Sequence, residues 1–119
     1  MNTININQKL SLFSDHWHPR IIGELNGQEV KAVKLLGDFP WHHHDHEDEM
    51  FLVIRGRLTM RFRNKTEIIS AGEFIIVPRG VEHQPYAEQE VELLLFEPSG
   101  TVNTGNVVSE KTRTQLEKI

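Results

Sequence analysis

The chain contains no cysteine. That excludes disulfides, thiolate metal sites, iron–sulfur clusters and a cysteine nucleophile. It has no basic excess either: 13 Lys and Arg stand against 17 Asp and Glu, a net charge of −4. Nucleic acid demands a basic face and an anionic membrane surface demands a polybasic patch, so neither partner is expected. The longest unbroken apolar runs are about five residues, far short of the ~20 of a membrane-spanning helix. The N-terminal MNTININQKL has neither the basic flank nor the apolar stretch of a signal peptide. A cytoplasmic location is the expectation.

What remains is a globular composition, 38% hydrophobic and 25% charged in 119 residues, long enough for one core. A single domain over residues 1–119 is expected, with its barrel core at about 20–97. The abundant residue is histidine. There are seven, and His42, His43, His44 and His46 fall within five positions.

The chain opens weakly helical, with Leu10, Leu12 and Phe13 as an apolar stripe and Asn7 as a cap. From residue 20 the pattern becomes short strands punctuated by turns. Strands are predicted at 20–24, 28–36, 41–45, 49–55, 57–63, 66–70, 74–77, 82–87 and 91–97, eight or nine in all. Asn26-Gly27 is a strong hairpin signal. In 57–63, Leu58, Met60 and Phe62 alternate with Arg57, Thr59, Arg61 and Arg63. This rhythm predicts an all-β antiparallel sandwich or barrel. Residues 98–106 read as a loop, and 109–119 as a short polar helix or frayed tail.

Residues 50–54, 74–77 and 93–96 are apolar at both parities, so both sheet faces need cover. A second copy of the chain is the expected cover, giving a homodimer. The alternative cover is the N-terminal helix with the C-terminal tail.

In a strand, residues two apart share a face, so His42 and His44 point the same way and His43 the other. Glu49 opens the next strand and can turn its carboxylate to the same ion. The register His44 and His46 is the chemical alternative. His83, beyond Pro78-Arg79-Gly80, is the remaining candidate ligand. Imidazoles with one carboxylate suit a divalent transition metal rather than calcium or magnesium. His16 and His18 flank Trp17 without a carboxylate at useful spacing and read as surface residues, as do His43 and His46. Asp48 reads as a solvated carboxylate or a hydrogen-bond acceptor beside the site. Phe51 and Val53 share parity with Glu49 and, with Met60, are candidate pocket-lining residues.

These motifs resemble the cupin superfamily. Its first motif, G-x5-H-x-H-x3–4-E-x6-G, is met by His42, His44, Glu49 and Gly56, with four residues rather than five after Gly37. Its second, G-x5-P-x-G-x2-H-x3-N, is met by Gly72, Pro78, Gly80 and His83, with Ala87 in place of the final Asn. Residues 34–106 are further similar to small single-domain cupins labelled mannose-6-phosphate-isomerase-like. The shared features are Trp41-His42, Asp48-Glu49, Val81-Glu82-His83 and Thr101-Val102-Asn103-Thr104-Gly105.

The resemblance implies a cupin double-stranded β-helix (jelly-roll) barrel with a short N-terminal helix and a C-terminal tail. It implies one divalent transition metal (Fe, Mn, Ni, Zn or Cu) on His42, His44, Glu49 and His83, with a small-molecule ligand beside it. An isomerase or dioxygenase and a non-enzymatic module for a sugar-like metabolite both remain open. No proton-transfer group beyond the ligands stands out, since the direction of Tyr86, the only Tyr, is not fixed by the sequence. Arg55, Arg57 and Arg61 are scattered rather than clustered for a sugar phosphate.

Overall fold

The computed structural model describes residues 1–119. One helical turn, α1 (Ile6–Leu10), precedes seven strands. These are β1 (Arg20–Leu25), β2 (Gln28–Asp38), β3 (Glu49–Arg55), β4 (Arg57–Phe62), β5 (Thr66–Ser70), β6 (Phe74–Val77) and β7 (His83–Pro98). All strand pairs are antiparallel, in the order β1-β2-β7-β3-β6, with β4 between β7 and β5. The result is an all-β jelly-roll barrel.

β7 closes the barrel. The pattern predicts two strands split at Glu88-Gln89, but the structure has a single strand of 16 residues. Its first part pairs with β4, Phe62↔His83 to Thr59↔Tyr86. Its second part pairs with β3, Met50↔Phe96 to Arg55↔Glu92. The polar stretch 88–90 is a bulge, where the β2 register jumps from Leu35↔Val91 to Gly37↔Ala87. β3 and β4 run the same way along β7, so Gly56 is a barrel corner rather than a hairpin turn. Its φ is 89°, and a Cβ there would come within 2.8 Å of the Glu90 carbonyl oxygen. Only glycine satisfies both conditions.

The predicted strand at 41–45 is absent. That segment makes one isolated bridge, His42↔His83, so seven strands stand where eight or nine were expected. The cap of α1 is Asn5, whose side chain accepts from the Gln8 amide at 2.9 Å. Asn7 lies inside the turn and accepts from Arg55. Residues 109–119 form neither helix nor frayed tail. Ile21 donates to the Glu117 carbonyl and Ile119 donates back to that of Ile21.

The inner face of the barrel is one apolar cluster that includes Val33, Leu35, Phe51, Val53, Leu58, Met60, Leu93 and Leu95. The outer face carries a second cluster, Leu10, Ile22, Ala32 and Leu94, with Phe13 and Ile119 packed against it. The helix and the chain end thus cover this face near β1 and β2. Phe74 and Ile76, on the edge strand β6, stay 59% and 55% exposed.

Candidate metal centre

His42, His44, Glu49 and His83 meet at one end of the barrel. Each offers a ligand atom, and all four atoms lie within 4.8 Å of one another. All four residues are buried. Glu49 opens β3 and His83 opens β7. His42 and His44 come from the irregular 41–45 segment, stitched to β7 by reciprocal bonds between the backbones of His42 and His83, at 3.0 and 2.9 Å. The Pro78-Arg79-Gly80 turn is held the same way. Gly80 donates to the His44 carbonyl at 2.7 Å. Asp48 accepts from the Arg79 amide at 2.8 Å and from its guanidinium at 3.1 Å. Asp48 therefore does its work as an exposed acceptor that ties the second motif to the first.

The imidazoles are oriented by their far nitrogens. His42 Nδ1 lies 2.9 Å from the Pro40 carbonyl, and His83 Nδ1 lies 2.9 Å from that of Val81. A carbonyl only accepts, so both Nδ1 atoms carry the proton and both Nε2 lone pairs are free. This is how metal-binding histidines are fixed in orientation and made better ligands.

The near atoms are orphans. His44 Nε2, His83 Nε2 and Glu49 Oε1 are buried without a hydrogen-bond partner. Glu49 Oε1 is 3.4 Å from His44 Nε2 and 3.7 Å from His83 Nε2. Bonds of about 2.0–2.2 Å to one ion set neighbouring ligand atoms about 3–4 Å apart, so these spacings fit. Charge points the same way. Glu49 is buried with no lysine or arginine paired to it, while the buried ammonium at this end of the barrel, that of Lys31, lies 2.6 Å from Glu97 and 3.8 Å from Glu29. Buried charges are paired or coordinate metals. The donor set suits a divalent transition metal.

Protonation follows the same environment. Burial, with His83 close by, pushes the His42 imidazole down to about 4, so it is neutral and available as a ligand. Burial alone would raise the Glu49 carboxyl, but the polar groups crowded around it, those of Glu97, His44 and His83, outweigh it. The group is held well below the usual carboxylate range. Burial and the neighbouring Glu49 push the Glu97 carboxyl well above that range, against the pull of Lys31.

The site opens onto a small apolar cavity bounded by Trp17, Leu35, Phe39, Phe51, Leu93 and Leu95, with His42 and Glu49 in its wall. The cavity volume is about 30 Å³, room for about two water molecules. Trp17 is buried at φ 62°. It donates from its indole to the Leu36 carbonyl and stacks on Phe39 at 4.6 Å. Phe39 in turn meets the His42 ring edge-on at 5.3 Å.

Of the expected pocket-lining residues, Phe51 lies in the wall, whereas Val53 and Met60 are fully buried in the core and outside it. Inner parity is not enough, because the core fills the barrel between β4 and the bulge of β7. His43 points away and contacts Asp45, and His46 is exposed. His16 pairs with Glu90 and His18 with Asp15, both distant from the ligands in their partners. Tyr86 lies under the Arg61 guanidinium, at the parity opposite His83.

Trp17, Phe39, Lys31 and Glu97 were not anticipated at the site. The available signal was parity: Val91, Leu93, Leu95 and Glu97 share one face of β7, so Glu97 is a charge in an inward row.

The comparisons agree with this geometry. The cupin-domain family model Cupin_2 matches residues 33–97. The chain is 45% identical to a cupin-2 domain containing protein from Shewanella frigidimarina NCIMB 400, with a TM-score of 0.80 over 81% of this chain and 94% of that one. It is 35% identical to protein NMB1881 from Neisseria meningitidis, with a TM-score of 0.76 over 82% of this chain and 100% of that one. It is also 34% identical over 64 residues to an uncharacterized protein, YdbB, of Bacillus subtilis strain 168. That match covers 53% of this chain and 57% of the relative. With the family model matching more than half its length, the chain belongs to the cupin family, as a small cupin-2 protein.

Proposed function

We propose that this cupin holds one divalent transition metal on His42, His44, Glu49 and His83 and binds a small, largely apolar molecule beside it. The observation that carries this reading is the meeting of three partnerless buried ligand atoms, His44 Nε2, His83 Nε2 and Glu49 Oε1, beside an apolar cavity whose wall includes His42 and Glu49. When bound, the metal supplies Lewis-acid polarisation of an oxygen donor on the ligand. The chain supplies orientation and an apolar wall. Neutral Nε2 atoms are presented by the Pro40 and Val81 carbonyls, and the Trp17–Phe39 stack lines the cavity.

The other polar groups in the wall are already engaged. Asn103 donates to the Lys111 carbonyl and accepts from the Arg113 amide. Trp17 is bonded to Leu36. No lysine or arginine lines the cavity, which argues against a sugar phosphate. A ligand larger than a few atoms requires the Trp17 segment to move. Binding, or chemistry driven by the metal alone, is favoured over a reaction that needs a separate acid or base.

We further propose a homodimer, supported by the uncovered Phe74 and Ile76 at the sheet edge.

The functional test uses cobalt-substituted protein and its visible spectrum. Small apolar carboxylates and enols are expected to shift the metal bands, and sugar phosphates are not. The reverse pattern would overturn the reading.

A further inference from the structure

Much of the cavity wall is strand, and its residues on β2, β3 and β7 are fixed by antiparallel ladders. Trp17 and Pro19 come instead from the segment ahead of β1, whose pairing with β2 begins only at Arg20↔Ala32. Trp17 nevertheless bonds β2 twice. Its amide donates to the Lys34 carbonyl at 2.9 Å, and its indole donates to the Leu36 carbonyl at 2.8 Å. His16, the residue before it, is tied to Glu90 at 2.7 Å.

The backbone at Trp17 has φ 62°. For a bulky side chain that is an outlier, and such conformations persist only where the surroundings fix them. The indole lies inward, 7% exposed and 4.6 Å from the Phe39 ring. Core packing alone does not account for this arrangement. Interiors leave few voids larger than a water molecule. Yet about 30 Å³ stays open where the Trp17 and Phe39 rings share a wall with His42 and Glu49. The indole N–H is already used by Leu36, so Trp17 offers a ligand shape and no hydrogen bond.

We propose that Trp17 is the size-determining residue of this cavity. Its indole restricts the ligand at the metal centre to a body of a few non-hydrogen atoms, and a shorter side chain at residue 17 admits a planar ring. This rests on the metal and ligand reading above and narrows it. The ligand class it specifies is an oxygen donor on a short apolar body, such as a short-chain carboxylate, and not an aromatic one.

The test uses acetate and benzoate, which carry the same donor group on bodies of different size. Each is titrated into the cobalt-substituted full chain and followed by the visible bands, for wild type, Trp17→Ala and the milder Trp17→Leu. Wild type is expected to bind acetate and exclude benzoate. Either variant is expected to shift the preference toward benzoate at least about tenfold, the order of discrimination that a fitted apolar pocket gives. A purely structural role would weaken both probes together, so an unchanged preference in a folded variant would overturn the proposal. So would benzoate bound by wild type as tightly as acetate. The metal-free chain gives a second reading that does not depend on cobalt. Benzene occupies dry apolar cavities large enough for it. It is expected to raise the melting temperature of Trp17→Ala or Trp17→Leu and to leave that of wild type unchanged, and an equal response in variant and wild type would overturn the proposal. A wild-type chain that takes up no cobalt is a different result and would defeat the metal reading.

Discussion

Gly105→Ala is expected to damage the metal centre without touching a ligand. A Cβ at residue 105 would overlap the His43 carbonyl oxygen and come within 3.2 Å of the His42 ring. The backbone cannot easily yield, since Asn106 and His43 exchange two hydrogen bonds at 3.0 and 2.8 Å. Placing alanine at φ 57° costs about 1–2 kcal/mol, and each broken hydrogen bond costs about 1 kcal/mol. The sum is about 3 kcal/mol. At a urea slope of about 1.5–2 kcal/mol/M, the midpoint should fall by about 1.5–2 M. Metal bonds tolerate about 0.2 Å, and a displaced His43 drags His42 and His44 with it. Affinity should fall at least about tenfold, or 1.4 kcal/mol. Urea unfolding and chelator competition measure the two effects separately. A variant with wild-type midpoint and affinity would refute the claim that this loop fixes the histidines.

Leu10→Ala empties a site sealed by Ile22, Ala32 and Leu94 and should cost about 2–5 kcal/mol in urea unfolding, with metal affinity unchanged. Acid stability should carry a signature of Asp15. Its hydrogen bond from Arg20 holds the carboxyl below its ordinary 3.8. A depressed carboxyl stabilises above the unfolded value and loses that contribution as pH falls through the folded one. Asp15→Asn should therefore flatten the stability profile below about pH 4, and an unchanged profile would contradict the pairing. Sedimentation of wild type should give twice the 13.8 kDa chain mass, and Phe74→Glu with Ile76→Lys should give the monomer. A wild-type monomer at micromolar concentration would end the dimer proposal.

The strands legible in the sequence were those with strong punctuation. β3, β5 and β6 run from Glu49, Thr66 and Phe74 to Arg55, Ser70 and Val77, and Gly56, Gly72 and Pro78 mark their borders. The failures share a cause: local polarity was read where tertiary pairing decides. Glu88 to Glu90 resemble a turn, but they bulge outward from a strand held on both sides by β2 and by β3 and β4. Residues 41–45 alternate like a strand, yet only His42 bridges to β7, because the segment is shaped around its two imidazoles. His42, His44, Glu49 and His83 were legible as candidates from strand parity and from the resemblance to the cupin motifs, which favoured His42 and His44 over the His44 and His46 register, and the structure brings those four together. Lys31 and Glu97 did not stand out, because one charge in an apolar row is visible only once its parity is known to face inward. Trp17 and Phe39 reach the cavity through long-range packing that no local pattern encodes.

Elemental analysis of protein purified without a His tag, beside His42→Ala and His83→Ala, tests the central claim most directly. About one transition-metal ion per chain, lost in both variants while both remain folded, is the expected result. A folded wild-type chain that takes up no metal even when loaded in excess would contradict it.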